Sequence, residues 1–217
     1  MHFDGGKEST RFLEQNILNL AYAQFETANE YGIPDMYPVH IDNLADIPIQ
    51  GFNFALKEKH PENVGVHFFL HDYQFERVWK YPDRYIELLS KFAYVLSPDF
   101  SPYVDMPQAL QIYNVYRNRW CGRYWQEHGI KVIPTFTLGD AEIFKVFFEG
   151  IPKHSTIAIS TMGEGRWGNF EGLLNWWNII QNKLEPETIL LYGKDLTSKL
   201  TGDNIVFKQM ISSKVAI

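Results

Sequence analysis

Short apolar runs alternate with longer amphipathic segments along most of this chain. Ile189 to Tyr192 is one such run, continuously apolar as a strand buried on both faces requires. Residues 107–128 form the longest amphipathic segment, begun by a proline and stopped by Gly129. The alternation predicts an α/β fold in which a mainly parallel sheet of about six strands is flanked by helices.

The individual elements follow from the same pattern. Strands are predicted at 49–55, 64–70, 94–97, 131–135, 156–161 and 188–192, and the tail 204–210 can add a last one. Helices are predicted at 82–92, 107–128, 141–149 and 169–184. Periodicity leaves two arrangements open, an open doubly wound sheet and a partial barrel.

The N-terminal part has a different pattern. Apolar residues at helical spacing predict an N-terminal helix from Thr10 to Tyr31, which Gly32 and Pro34 end. We expect a single α/β domain over 1–217, with 1–48 as an N-terminal helix and loop extension and 49–217 as the β/α core.

Composition narrows the class of protein. Cys121 is the single cysteine, so no disulfide can form within the chain and a reducing compartment is expected. The first ten residues lack the layout of a signal peptide, and no run of about 18 apolar residues is present, so we expect a cytoplasmic protein without a membrane span. A net charge of -6 makes nucleic acid an unlikely partner, although Arg117, Arg119 and Arg123 are a candidate local basic patch on the long helix.

Candidate ligand-binding residues come from the loops that follow the predicted strands. In parallel α/β folds ligands bind beyond the carboxyl ends of the strands, where loops and helix N-termini converge. The same residue types also serve as helix caps, which is the competing interpretation. The predicted ligand-binding residues are Asp99, Asp105, Arg119, Asp140, Thr161, Gly163, Gly165, Arg166 and Lys194.

A glycine-rich turn stands out within this set. Residues 163–168 read G-x-G-x-x-G between a predicted strand and a predicted helix. The turn comes late in the chain, and Glu164, Arg166 and Trp167 occupy positions where a dinucleotide fold needs bare backbone. The turn is therefore interpreted as a flexible loop without a ligand or as a loop that contacts an anion or a nucleotide, in preference to a dinucleotide site.

The candidate chemistry is incomplete. Asp72, Asp99, Asp105 and Asp140 supply oxygen atoms that suit magnesium, but no spacing marks a metal site and none is predicted. No known catalytic motif is present, so catalytic residues and cofactors stay unknown. A small anionic ligand would need cationic partners, for which the sequence offers Arg119, Arg166 and Lys194.

Between Tyr94 and Lys194 the sequence resembles a known family. The stretches that carry the resemblance are 95–101, 116–119, 122–125, 129–135 and 150–153, which appear in the family's order. They are similar to domain of unknown function 4417, found in bacteria, phages and prophages. The resemblance implies a mobile-element context and supplies no catalytic residue.

Three functions remain in competition. The first is a phage- or prophage-type accessory protein that binds a host protein or small ligand at the carboxyl rim of its sheet. The second is an enzyme that acts on a phosphorylated or nucleotide substrate. The third is a nucleic-acid accessory protein that uses Arg117, Arg119 and Arg123.

Overall fold

The computed structural model describes residues 16–162 and 170–210. Four α-helices are present in these ranges: α1 (Glu76–Lys80), α2 (Ile86–Leu89), α3 (Gln108–Glu127) and α4 (Glu171–Leu184). The strands are β1 (Ile49–Gly51), β2 (Gly65–His67), β3 (Tyr94–Leu96), β4 (Val132–Ile133), β5 (Thr135–Phe136), β6 (Thr156–Ser160), β7 (Thr188–Gly193) and β8 (Ile205–Gln209). Short 3₁₀ helices lie between them at Phe52–Lys57, Pro61–Asn63, Asp72–Gln74, Pro82–Tyr85, Ala141–Phe148 and Thr197–Lys199.

The strands form two four-stranded sheets in which every pair is parallel. Their orders are β1-β2-β3-β4 and β5-β6-β7-β8. The α/β prediction is therefore confirmed, with eight strands in place of about six. Pro134 explains part of the difference, because it has no N–H to donate and divides the predicted strand 131–135 into β4 and β5.

Ser97 replaces the hydrogen bonds that the strand pairing lacks next to Pro134. Its hydroxyl accepts the Thr135 N–H at 2.8 Å, and the Thr135 hydroxyl donates to the Ser97 carbonyl at 2.9 Å. The Pro134 carbonyl still accepts the N–H of Ala158. The chain thus continues directly from one sheet into the other.

Strand order decides between the two arrangements that the sequence left open. A doubly wound sheet reverses its strand order, whereas here sequence order and spatial order are the same. His67 of β2 and Tyr192 of β7 have ring centroids 4.3 Å apart, although their strands belong to different sheets. At the remaining gap, Lys208 of β8 donates to the carbonyls of Ala45 and Ile47, just before β1. The fold is a partial barrel.

Because the strands form a partial barrel, the core consists of a barrel interior and an outer layer beneath the helices. The interior cluster holds Leu96, Ile133 and Leu190 from three different strands. The residues adjacent to them in sequence, such as Val95 and Leu191, face outward and pack under the helices in two further clusters. Inward and outward side chains thus alternate along each strand, as its geometry requires.

The predicted N-terminal helix from Thr10 to Tyr31 is not confirmed. Residues 1–15 lie outside the described part, and only Asn16 and Ile17 are helical before a series of turns. Asn19 ends the helix because its φ is 60° and its side-chain amide donates to the Trp79 carbonyl at 2.8 Å. The following segment lies against α3, where the indole N–H of Trp120 donates to the Ala23 carbonyl.

Among residues 16–162 and 170–210, no helix combines the length and the apolar character needed to cross a membrane.

Candidate functional site

The long helix α3 carries two buried arginines, and both donate hydrogen bonds to other groups of the protein. Arg117 donates from one nitrogen to both carboxylate oxygens of Glu76, at 2.7 and 2.9 Å, and from another to Asn114. Its guanidinium carbon lies 3.9 Å from the centre of the Phe100 ring. The pairing ties α3 to α1 and leaves Arg117 no broad solvent-facing surface.

Arg119 is deeper still, with 1% of its surface exposed. Its side chain donates to the carbonyls of Thr135, Phe147 and Glu149 and to the Asn118 amide oxygen. Gly150 makes room for it, since a Cβ there would lie 2.3 Å from the Pro34 carbonyl and 3.0 Å from Arg119. Burial lowers the pKa of Arg119 to about 9, which nearby Asp99 opposes.

The third arginine of the candidate basic patch is engaged as well. Arg123 forms an ion pair with Glu127 at 2.8 Å, and its other nitrogens donate to the Asp35 carbonyl and the Tyr37 hydroxyl. Arg117, Arg119 and Arg123 therefore serve three separate internal networks and do not present one shared basic face.

Four polar residues lie together at the carboxyl edge of the sheet, and we name them the carboxyl-edge site: Asp72, Asp99, Ser101 and Thr137. The Asp72 carboxylate accepts the backbone N–H and the hydroxyl of Ser101, at 3.1 and 2.8 Å. Asp99 accepts the Thr137 hydroxyl at 2.6 Å, which links the ends of β3 and β5. All four side chains are half-buried, so the site is lined by protein and still reaches solvent.

The surroundings of Asp99 disfavour the ionised form of its carboxyl group. Burial raises its pKa from the ordinary 3.8 to about 6, the Thr137 hydrogen bond opposes the shift, Asp72 adds to it and Arg119 opposes it. Arg119 cannot neutralise Asp99 fully, because its own donors are directed at carbonyls and at Asn118. Asp99 is thus a carboxyl group with one hydrogen-bonding partner in a recess that disfavours its charge.

An aromatic group lies near the carboxyl end of the barrel interior. Tyr192 stacks on Phe69 at 5.2 Å and contacts the His67 ring. Burial lowers the pKa of His67 to about 3, so this imidazole is neutral at ordinary pH. Its Nδ1 accepts the Phe69 N–H at 3.2 Å, which places the proton on Nε2.

The other predicted site residues share the carboxyl edge but do not converge. Asp140 caps the 3₁₀ helix Ala141–Phe148 by accepting the Glu142 N–H, and also accepts from Gln108. Thr161 is buried, with its hydroxyl accepting the Lys194 N–H at 2.6 Å. Asp105 is exposed in the loop before α3, and the Lys194 ammonium lies 5.1 Å from the centre of the Phe170 ring.

Part of the predicted site falls outside the described residues. Gly163, Gly165 and Arg166 lie in the segment 163–169, together with the rest of the glycine-rich turn and the first residue of the predicted helix 169–184. Within the described ranges, no three side chains of the His, Cys, Asp and Glu types are grouped so as to hold a metal ion. Cys121 is buried, which raises the pKa of its thiol.

The sequence pointed to the carboxyl edge and selected Asp99, but the predicted ligand-binding residues did not include Asp72, Ser101 and Thr137, which meet there. Asp72 and Thr137 follow strands, as many capping residues do, and no motif distinguishes them. Their importance comes from contacts across 29 and 38 positions of sequence, to Ser101 and Asp99 respectively. Position after a strand was the only available signal.

Comparison with known proteins shows the family to which this chain belongs. The family model described as Domain of unknown function (DUF4417) matches residues 25–210, well beyond the stretch from Tyr94 to Lys194. The Gene 1 protein of Mycobacterium phage L5 is 37% identical over 183 residues, which cover 82% of this chain and 78% of that protein. The Gene 1 protein of Mycobacterium phage D29 is 39% identical over 182 residues, which cover 82% of this chain and 66% of that protein. No solved structure matches. The chain is therefore a phage-type protein that belongs to the DUF4417 family.

Proposed function

We propose that this chain is a phage-type accessory protein that binds a small polar ligand at the carboxyl-edge site. The observation that carries the proposal is Asp99, a half-buried carboxyl group with one hydrogen-bond donor and a pKa raised to about 6. A buried carboxyl group in a protein normally finds several partners, so an incompletely satisfied one that reaches solvent suits a ligand's donor group.

The position of Asp99 agrees with this role. Ligand sites of parallel β/α barrels are built from the loops at the carboxyl ends of the strands, and Asp99 follows β3. Thr137 and Asp72, anchored on neighbouring loops, hold the surroundings of Asp99 in place. A ligand N–H or O–H group that reaches this recess would complete the hydrogen bonding of the carboxylate.

The preferred charge of the ligand depends on the cations at this edge. Arg119 was predicted to grip a phosphate, but its four hydrogen bonds to protein atoms leave it committed to the core. An anionic ligand would then rely on Lys194, which is exposed, and on Arg166 of the glycine-rich turn. We place this binding in the cytoplasm, since the one cysteine is buried and needs no oxidising compartment.

An enzyme that acts on a phosphorylated or nucleotide substrate is the second candidate. A pKa of about 6 suits a group that gives and takes protons near neutral pH, which favours Asp99 as a general acid or base. The three engaged arginines of α3 argue against the third candidate, nucleic-acid binding through a basic patch.

The proposal is tested with a panel of nucleoside monophosphates, sugar phosphates and amino acids. Binding is followed by the shift in melting temperature and by carboxyl ¹³C resonances, with Asp99→Asn as the test variant. Asp105→Asn is the matched control, because Asp105 lies at the same edge but is exposed. We expect a compound that stabilises the wild type and the control and fails to stabilise Asp99→Asn. Binding that survives in Asp99→Asn, or a panel that gives no shift with the wild type, would contradict the proposal.

A further inference from the structure

Four large apolar side chains are exposed beside the carboxyl-edge site, and we name them the tyrosine patch: Tyr73, Tyr103, Val104 and Leu110. Their exposed fractions are 80%, 53%, 73% and 50%. A single exposed apolar residue needs no explanation, but a group of them on two adjacent loops and the first turn of α3 marks an interaction surface. Tyrosine is also among the residue types enriched in protein interfaces.

Hydrogen bonds hold the two loops of the tyrosine patch side by side. Asp72, next to Tyr73, accepts twice from Ser101, two residues before Tyr103. The Asn114 amide donates to the Ser101 carbonyl at 2.7 Å, and the Gln111 amide donates to the Met106 carbonyl at 3.0 Å. The loops are therefore anchored to α3, which reduces the entropy that a partner must overcome on binding.

Carboxylates predominate on the side of the tyrosine patch that carries Val104 and Leu110. Asp105 follows Val104 and is exposed, and Gln108 in the first turn of α3 donates to both Asp140 and Glu142. Lys145 is exposed in the same 3₁₀ helix as Glu142. Among the basic side chains of the adjoining elements, Arg117 is paired with Glu76. Arg77 and Lys80 of α1 are exposed, and they lie over the Phe52 ring at 4.9 Å and the Tyr81 ring at 5.3 Å.

We infer that the tyrosine patch docks a partner protein that presents apolar side chains flanked by lysine or arginine. Apolar contact would provide the area, and Asp105, Asp140 and Glu142 would select a basic rim on the partner. A second copy of this chain is a poorer occupant, since pairing two copies would bring the same carboxylates together in a chain whose net charge is -6. The inference is independent of the ligand proposed for the carboxyl-edge site.

The test uses the full chain and a displayed library of random peptides. The variant carries Tyr73→Ser, Tyr103→Ser and Val104→Ser, and the control carries Tyr31→Ser and Ile179→Ser, two exposed apolar positions on other elements. We expect selected peptides that combine large apolar residues with lysine or arginine. Their affinity should fall at least about tenfold in the variant, as for loss of interface hot spots, and stay unchanged in the control.

Further measurements separate the alternatives. Both variants should keep the wild-type melting temperature, since every replaced side chain is exposed. Asp105→Asn should lower the affinity of the selected peptides about threefold. Added salt should weaken peptide binding more in the wild type than in this variant.

Four outcomes would overturn the inference. The peptides bind the triple variant as tightly as they bind the wild type, or acidic peptides are the ones selected. In the third, the wild type forms dimers in sedimentation that the triple variant does not form. In the fourth, a single-stranded oligonucleotide binds the wild type and is lost in the variant.

Discussion

The polar residues beneath α3 and those at the carboxyl edge are neighbours, but they differ in how many hydrogen bonds the protein gives them. Arg119 is 1% exposed and makes four hydrogen bonds to atoms that cannot move away. Asp99 is half-buried, accepts one hydrogen bond from Thr137 and has a raised pKa. The two residues influence each other's pKa, although only Arg119 is enclosed by hydrogen-bond acceptors of the protein.

The contrast separates structural charge from functional charge. A buried charge with a full set of partners stabilises the arrangement around it, and removing it leaves those partners unsatisfied. A charge held in a recess with few partners is a cost to the fold, and such costs are typical of binding and catalytic sites. On this criterion Arg119 belongs to the scaffold, and Asp99 is the residue on which the proposed ligand site depends.

Arg119→Met should have the largest effect. It removes the hydrogen bonds to three buried carbonyls and should lower the free energy of unfolding by about 3–5 kcal/mol. Urea unfolding measures the loss, with Arg123→Met as a control in which a more exposed arginine of the same helix is replaced. Equal stability of Arg119→Met and the wild type would return Arg119 to the list of ligand-binding candidates.

Asp99→Asn should instead raise the free energy of unfolding at neutral pH. The folded-state pKa of about 6 lies above the ordinary 3.8, so the folded protein holds this proton more tightly than the unfolded chain does. Wild-type stability should therefore fall as the pH rises from about 4 to about 6, and the neutral amide should avoid that fall. At neutral pH the variant should be more stable by about 1–3 kcal/mol.

Urea unfolding across this pH range checks the sign. The two proteins should converge in stability below about pH 4, where Asp99 is protonated in both states. His67 contributes in the other direction, because its lowered pKa makes the folded state lose stability as the pH falls below its ordinary 6.5. With Asp99 replaced, the His67 contribution should stand out as a steeper rise in stability with pH. An amide variant that is less stable at neutral pH would make Asp99 a structural residue.

Thr137→Val should give the smallest effect. The Thr137 hydroxyl stabilises the ionised form of Asp99, so its loss should raise the Asp99 pKa by about one further unit. A carboxyl ¹³C titration reports the pKa directly, and Thr137→Ser should keep it near the wild-type value. If the pKa stays the same in Thr137→Val, the Thr137 hydrogen bond does not contribute to the shift.

The alternation of apolar runs predicted the parallel α/β fold and most strand positions, because buried strands have a local signature. It did not predict the end of the N-terminal helix at Asn19, which depends on a hydrogen bond to Trp79, 60 positions away. It also could not divide the fourth strand, where Pro134 interrupts the ladder and Ser97 restores it. Local pattern is informative where propensity and burial agree, and it fails where a distant partner decides the backbone.

For the site, the sequence by itself determined that aspartates and threonines follow the strands and that α3 carries three arginines. Only the tertiary structure decided which of these residues function as scaffold. Arg119 and Asp99 are both charged residues close to the same edge, and nothing in their neighbouring sequence distinguishes them. The carbonyls that satisfy Arg119 come from Thr135, Phe147 and Glu149, whereas the fold gives Asp99 one hydroxyl. Hydrogen-bond satisfaction is a property of three-dimensional packing, because the partners of a buried charge lie far from it along the chain.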